Sequence, residues 1–243
     1  MPRGLLIFSV RVRSFTTIRA EFFVWILITY APVHMFVNIR NAWRDPAWRA
    51  EFAATFAILA PVLFAMTHFL DAVERRRGVT LPDPVLALFP AINLTWVTFL
   101  IIYAGIIAGL AVLVQNPRRF LLVFQGYAVM ALFRMAAMYL APLEPPPGII
   151  ELRDPFIEFF GGGKTLTRDL FFSGHTSTMF LLFLLIPGTR LRVVYACLTL
   201  LVGLCVVLQH VHYTVDVVAA PFFAYGAYSI VVGICKRRGI LVN

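Results

Sequence analysis

Two stretches carry the reading of this chain: Asp169-Leu170-Phe171-Phe172-Ser173-Gly174-His175-Thr176 and Gln209-His210-Val211-His212-Tyr213-Thr214-Val215-Asp216-Val217-Val218. Each sits at the edge of a long apolar run. Between them one run leads away from a membrane face, at about 172–188, and the next leads back, at about 193–210. That path brings His175, His212 and Asp216 to the same face. A histidine nucleophile, a carboxylate that orients it and a second histidine serving as acid or base are the parts of a phosphoryl-transfer site.

Apolar residues make up 60% of the 243 and charged residues only 14%, where a soluble domain carries about 25% charged. The deficit reads as a polytopic membrane protein. The net charge of +9 does not point to nucleic acid, because the basic residues mostly lie in short runs between apolar segments, where they read as membrane-surface charge. Residues 1–20 interleave four arginines with short apolar runs and show no cleavable signal. Cys197, Cys205 and Cys235 fall inside predicted spans and read as structural thiols, not as a disulfide or metal set.

A bilayer core needs roughly 20 apolar residues of helix. Apolar runs occur at about 22–39, 52–71, 91–114, 119–141, 172–188, 193–210 and 213–235. The expected fold is all-α: a polytopic membrane helix bundle of six core transmembrane helices plus one extra N-terminal apolar segment. Residues 1–45 form that N-terminal segment, interfacial or transmembrane, and 46–243 the six-helix domain. The longest polar connection, 142–171, contains Pro145-Pro146-Pro147-Gly148 and Gly161-Gly162-Gly163 and is expected to be irregular. Arg40, Arg44, Arg49, Arg118, Arg119, Arg190, Arg192 and Lys236-Arg237-Arg238 fall on one face if the last six runs each cross once, and that face should be cytoplasmic. The histidine motifs then lie on the opposite face. Arg75-Arg76-Arg77 resists this scheme, as do Arg3, Arg11, Arg13 and Arg19 if 22–39 crosses; a segment lying in the interface would remove the second conflict.

Four residues apart on a helix, His212 and Asp216 would share a face. The carboxylate would hold one ring nitrogen and leave the other as nucleophile or base; the alternative is an ion pair anchoring a helix end. At His175, the preceding glycine lets a phosphate oxygen or another helix approach the backbone, and the N–H groups of a helix start favour anions; the alternative is a helix cap at Ser173. His210 faces elsewhere and reads as supporting, His34 and His68 as structural. Histidines two apart splay on a helix, which argues against a metal site. Arg134, near the outer end of its span, suits a lipid phosphate, or else pairs with an acid such as Glu144. Asp169 suits the cationic end of a zwitterionic headgroup, or caps a helix. Ser173, Gly174 and Tyr213 complete the candidate substrate contacts. Phe156, Phe159, Phe160, Phe171 and Phe172 frame the expected mouth, where they would keep water from a phosphohistidine.

At these residues the chain resembles the sphingomyelin synthase family, a branch of the lipid phosphate phosphatase superfamily. Leu81-Pro82-Asp83 resembles that family's first block. Arg118-Arg119-Phe120 through Tyr127, Arg134, Met138-Tyr139 and Pro142-Leu143 resembles its second, and the two stretches quoted above its third and fourth. The resemblance runs in order from about residue 50 to the end. It implies six helices, a site on the exoplasmic or lumenal side and a catalytic triad of His175, His212 and Asp216. It also implies transfer of a phospho-headgroup (phosphocholine or phosphoethanolamine) from a phospholipid donor to ceramide or another lipid alcohol, releasing diacylglycerol. No cofactor, metal or nucleic acid is implied; the membrane is, and a homo-oligomer is allowed. The chain departs from the pattern at residues 1–45 and at Thr80, where a proline is expected. A phospholipase C uses the same site with water as acceptor. A lipid phosphate phosphatase fits less well, because Val206 stands where that class carries an arginine. A silent membrane scaffold and a transporter are the alternatives of another kind.

Overall fold

Two proline-started helices set the frame. Pro46 and Pro117 each occupy the first turn, where a missing N–H costs nothing. The residue before each accepts a first-turn N–H: Asp45 from Ala47 at 2.9 Å and Asn116 from Arg119 at 3.1 Å. The computed structural model describes residues 34–152 and 166–239. Its helices run in the order α1 (His34–Ala42), α2 (Pro46–Glu74), α3 (Thr95–Leu113), α4 (Pro117–Leu140), α5 (Gly174–Leu185), α6 (Thr189–Leu208) and α7 (Thr214–Arg237), with a 3-10 turn at Leu86–Leu88. Among the described residues no strand forms beyond one parallel bridge between Val79 and Leu143.

Among the described residues five helices (α2, α3, α4, α6 and α7) are long and apolar enough to cross a membrane, so the protein is an integral, multi-pass helical bundle. α5 is shorter: twelve residues rise about 18 Å, against a hydrocarbon core of about 30 Å. Ser173 caps one end of it. Pro187 ends the other, holding Ile186 extended at ψ 132°. α5 packs on α6 and α7, and α2 packs on α4. The interior is built from Leu113, Leu182, Ile186 and Val202. Small residues let the helices close: a Cβ on Gly109 would sit 2.8 Å from the Tyr195 hydroxyl, which donates to the Gly105 carbonyl at 2.6 Å. Trp96, Leu100 and Ile107 on α3, Leu200 and Leu204 on α6 and Phe222 on α7 are exposed, as apolar side chains are on the lipid-facing side of a membrane helix. Residues 1–33, with them 22–33 of the N-terminal apolar run, lie outside the described residues; 34–39 open α1.

The connections sort to two ends. At one, Arg118 bonds Glu51, Arg119 donates to the Leu185 carbonyl and Arg192 to the Ile186 carbonyl. This end carries the basic residues expected to share a face. At the other, the start of α3, the end of α6 and the 142–152 connection are cross-braced by Gln209, which is fully buried. Its amide oxygen accepts from Leu94 N–H (3.1 Å), and its amide nitrogen donates to Thr95 Oγ1 (2.8 Å) and to the Ile150 carbonyl (3.1 Å). Arg75–Arg77 lie at this second end, with Arg76 donating to the Tyr139 carbonyl at 3.2 Å. Gln209→Glu keeps the shape but loses the amide donors. Thr95 can turn its hydroxyl round; the Ile150 carbonyl cannot become a donor. A loss of about 1–3 kcal/mol is expected, measured as a lower melting temperature of the purified variant.

Candidate active site

The last turn of α6 ends with the hydrogen bonds of a Schellman cap: Val211 N–H to the Val206 carbonyl at 3.0 Å and His210 N–H to that of Val207 at 2.9 Å. The residue in the left-handed position, where glycine is usual, is His210 (φ 56°). Its Nδ1 donates to the Pro147 carbonyl (3.2 Å) and its ring meets Phe89 edge-on. The chain then turns and α7 begins at Thr214. His212 therefore precedes the helix and shares no helical face with Asp216, contrary to the spacing argument. The two meet because Asp216 occupies the third helical position, from which a carboxylate reaches back over the first turn. Its Oδ2 accepts from His212 Nδ1 (3.2 Å) and from Tyr213 N–H (3.2 Å). Both side chains are buried, His212 at 3% exposure and Asp216 at 0%. With Nδ1 so engaged, Nε2 is the nitrogen left to act.

The start of α5 is docked on this turn. Ser173 N–H donates to the Asp216 carbonyl at 3.1 Å. The same serine caps α5, its hydroxyl oxygen accepting from Thr176 N–H (3.3 Å) and Thr176 Oγ1 (3.1 Å). His175 stands in the first turn of α5, half-buried, with its ring 6.5 Å from that of Phe99. Gly174 allows a close approach: a Cβ there would overlap the Arg134 guanidinium, which would have to move aside.

Arg134 is 8% exposed. The acid it meets is Asp169, not Glu144, so the phosphate-binding candidate and the headgroup-binding candidate are joined as an ion pair. The guanidinium also lies 5.5 Å over the Phe172 ring. Phe172 is buried and stacks on Phe223 at 4.5 Å, so it belongs to the packing beneath Arg134 and not to an open mouth. Phe171 joins the same cluster with φ 91°, a strained conformation for a bulky residue, two positions before Ser173. Phe156, Phe159, Phe160 and the three glycines lie outside the described residues. Tyr213 is fully buried. Its hydroxyl donates to the Glu144 carbonyl (2.9 Å) and accepts from Leu81 N–H (3.2 Å). It holds loops together and turns no free hydroxyl to a substrate. His68 is exposed against Phe64.

Four charged residues, Asp83, Glu144, Arg168 and Glu74, brace the segments around the site. Asp83 accepts from Thr214 N–H (2.7 Å), Thr214 Oγ1 (3.1 Å), Val85 N–H (3.0 Å) and Leu86 N–H (3.2 Å), tying the 81–86 segment to the start of α7. Glu144 takes Arg168 through Nε (3.0 Å) and Nη2 (2.8 Å), and Glu74 takes Thr167 and the Arg168 N–H. The segment entering the site is thus stapled to the end of α2. Asp83 has a sequence signal in its Leu-Pro-Asp block; Glu74 and Arg168 have none.

Partial burial of Asp83 opposes ionisation, but the bonds from Thr214, Leu86 and Val85 outweigh it and hold the carboxyl below its usual value. The bonds from Gly78 and Arg168 likewise lower Glu144. Because the folded values lie below the unfolded ones, this contribution is complete above the ordinary carboxylate range, roughly pH 4, and fades as pH falls through the folded values. Protease nicking of the 75–94 and 142–150 connections should rise below that range in the wild type. In Asp83→Asn it should already be high at neutral pH.

A family model described as PAP2 superfamily C-terminal matches residues 168–232, the stretch that holds Asp169, Ser173, Gly174, His175, His212, Tyr213 and Asp216. No curated protein matches the chain. The match supports an enzyme acting on phosphate esters in a membrane; Asp83, Arg134 and Glu144 fall outside it.

Proposed function

We propose that the protein is a membrane phosphotransferase that moves a phospho-headgroup from a glycerophospholipid to a lipid alcohol of the ceramide kind. The observation that carries this reading is the joint at Asp216: its carboxylate holds His212 Nδ1 while its carbonyl holds the turn that presents His175. His212 Nε2 attacks the donor phosphorus and the bond to the diacylglycerol oxygen breaks. His175 gives that oxygen a proton, and diacylglycerol leaves. The headgroup phosphate then rests on His212. His175, now neutral, takes the proton of the acceptor hydroxyl; the alkoxide oxygen attacks phosphorus and the P–N bond breaks, restoring His212. Arg134, beside Gly174, stabilises the phosphate charge, and Asp169 is the group that a choline or ethanolamine cation would meet. The basic end of the bundle faces the cytoplasm, so the reaction occurs in the outer leaflet or lumen.

The choice of a transferase rests on the resemblance of the Leu81-Pro82-Asp83 and Arg118 to Leu143 blocks to the sphingomyelin synthase family. Of these residues Asp83 ties to Thr214 and Arg134 lies against Gly174, while Arg118 and Arg119 lie at the opposite end of the bundle. Val206, six residues before His212, is fully buried in the core and offers no guanidinium, which disfavours a plain phosphatase. The test is incubation of purified protein with headgroup-labelled phosphatidylcholine or phosphatidylethanolamine, with and without ceramide. With ceramide, label should move mainly to that lipid; without it, slow release of soluble phospho-headgroup should persist. Soluble product dominating at saturating ceramide and diacylglycerol makes the protein a phospholipase C. No turnover of any phospholipid leaves a silent scaffold.

A further inference from the structure

The end of the bundle opposite the triad holds a cavity of about 370 Å³ between the α1–α2 corner and the α3–α4 turn, lined by Asn38, Asn41, Asp45, Trp48, Gln115 and Arg118 among others. Its walls are tied together: Asn38 donates to the Gln115 carbonyl at 2.8 Å and Trp48 Nε1 to the Pro117 carbonyl at 3.4 Å. This end carries Arg40, Arg44, Arg49, Arg118, Arg119, Arg190, Arg192, Lys236, Arg237 and Arg238, and among the described residues its acids are Asp45 and Glu51. Glu51 is consumed. One of its oxygens bonds Arg118 Nη1, and the other accepts from Gln125 at 3.2 Å. Asp45 is held more loosely. Its Oδ1 caps α2, but its Oδ2 stands 4.0 Å from Arg118 Nη2, beyond hydrogen-bond range, with the two side chains 49% and 31% exposed.

The cavity therefore presents a guanidinium nitrogen and a carboxylate oxygen side by side, paired by charge at 4.0 Å but not hydrogen-bonded to each other, among the amides of Asn38, Asn41 and Gln115. That arrangement matches a zwitterion with one anionic and one cationic end. At the end of a transmembrane bundle such a group comes from the headgroup layer. A primary ammonium can donate to Asp45 Oδ2 and to the asparagine carbonyls, whereas a quaternary ammonium has no hydrogen to give. We propose that this cavity binds the phosphoethanolamine headgroup of a phospholipid in the leaflet opposite the triad, phosphate on Arg118 and ammonium on Asp45. The site is independent of the reaction at the other end.

The test uses the full chain in phosphatidylcholine nanodiscs doped with photoreactive phosphatidylethanolamine or phosphatidylcholine of identical acyl chains, with adducts mapped by mass spectrometry. Asp45→Asn is the informative variant, because asparagine caps a helix as well as aspartate does while losing the charge. The ethanolamine lipid should label residues 38–48 and 115–118 about threefold to fivefold more than the choline lipid, the scale of one partly exposed charge contact. In Asp45→Asn that preference should vanish with melting temperature and turnover unchanged. Soluble phosphoethanolamine should compete for the label and inorganic phosphate should not. Equal labelling by the two lipids, or a preference that survives in Asp45→Asn, overturns the proposal. Competition by phosphate as strong as by phosphoethanolamine also overturns it, by revealing a simple anion site.

Discussion

His212→Ala is expected to lower turnover by about 10⁴-fold or more while the protein still folds, because the attacking nitrogen is gone and nothing else at the turn replaces it. Asp216→Asn should cost nearly as much: an amide at this position no longer imposes the tautomer that frees Nε2. It also leaves Tyr213 N–H with a weaker partner, so some loss of melting temperature is expected with it. His175→Ala should fail at both the departure of diacylglycerol and the activation of the acceptor. Because the three act as one unit, the double variants should be little worse than the singles. The measurement is label transfer per folded molecule, with folding judged by size-exclusion profile. A near-normal rate in His212→Ala together with loss in His210→Ala would move the nucleophile to the wrong side of the Schellman turn and sink this assignment.

The second large effect concerns the guanidinium over Gly174. Arg134→Lys keeps the charge but not the planar fork that spans Asp169, the Phe172 face and an incoming phosphate. A loss of about 10²-fold in kcat is expected, the scale of removing one preorganised donor to a developing charge. Gly174→Ala should give the same phenotype from the other side, since its methyl group occupies the place of the guanidinium and forces it off Asp169. Agreement of the two variants in kcat, at near-normal melting temperature, supports a phosphate clamp. If both instead melt early and the surviving folded molecules turn over normally, Arg134 is a structural ion pair.

Several features were legible before any coordinates. The apolar runs after residue 50 became helices within a few residues of their expected ends, because roughly 20 apolar residues in lipid leave the backbone little alternative to a helix. The ends differ for a reason hydropathy does not register. α2 and α4 start early, at Pro46 and Pro117, because caps and prolines start them and polar residues such as Arg49 and Arg118 continue them through the interface. α5 is shorter than its apolar run because Ser173 and Pro187 bound it. The pairing of His212 with Asp216 followed from their spacing, though the geometry is a carboxylate reaching back from a helix start and not two side chains on one face.

What the sequence by itself determined is therefore the membrane class, the succession of helices, the separation of most basic residues from the histidine end, and the pairing of His212 with Asp216. Each is a local property: hydropathy over one span, charge in one short connection, or spacing within one motif. Only the tertiary structure decided who pairs with whom across the loops. Arg134 takes Asp169 and leaves Glu144 to Arg168; Glu74 holds the segment that enters the site; Gln209 braces three connections at once; Asp83 caps a helix that begins 131 residues later. Many acids and donors are of suitable type for each of these places. Which one arrives depends on how irregular connections fold over the end of the bundle, where every buried polar group must find a partner and no periodicity in the chain says which.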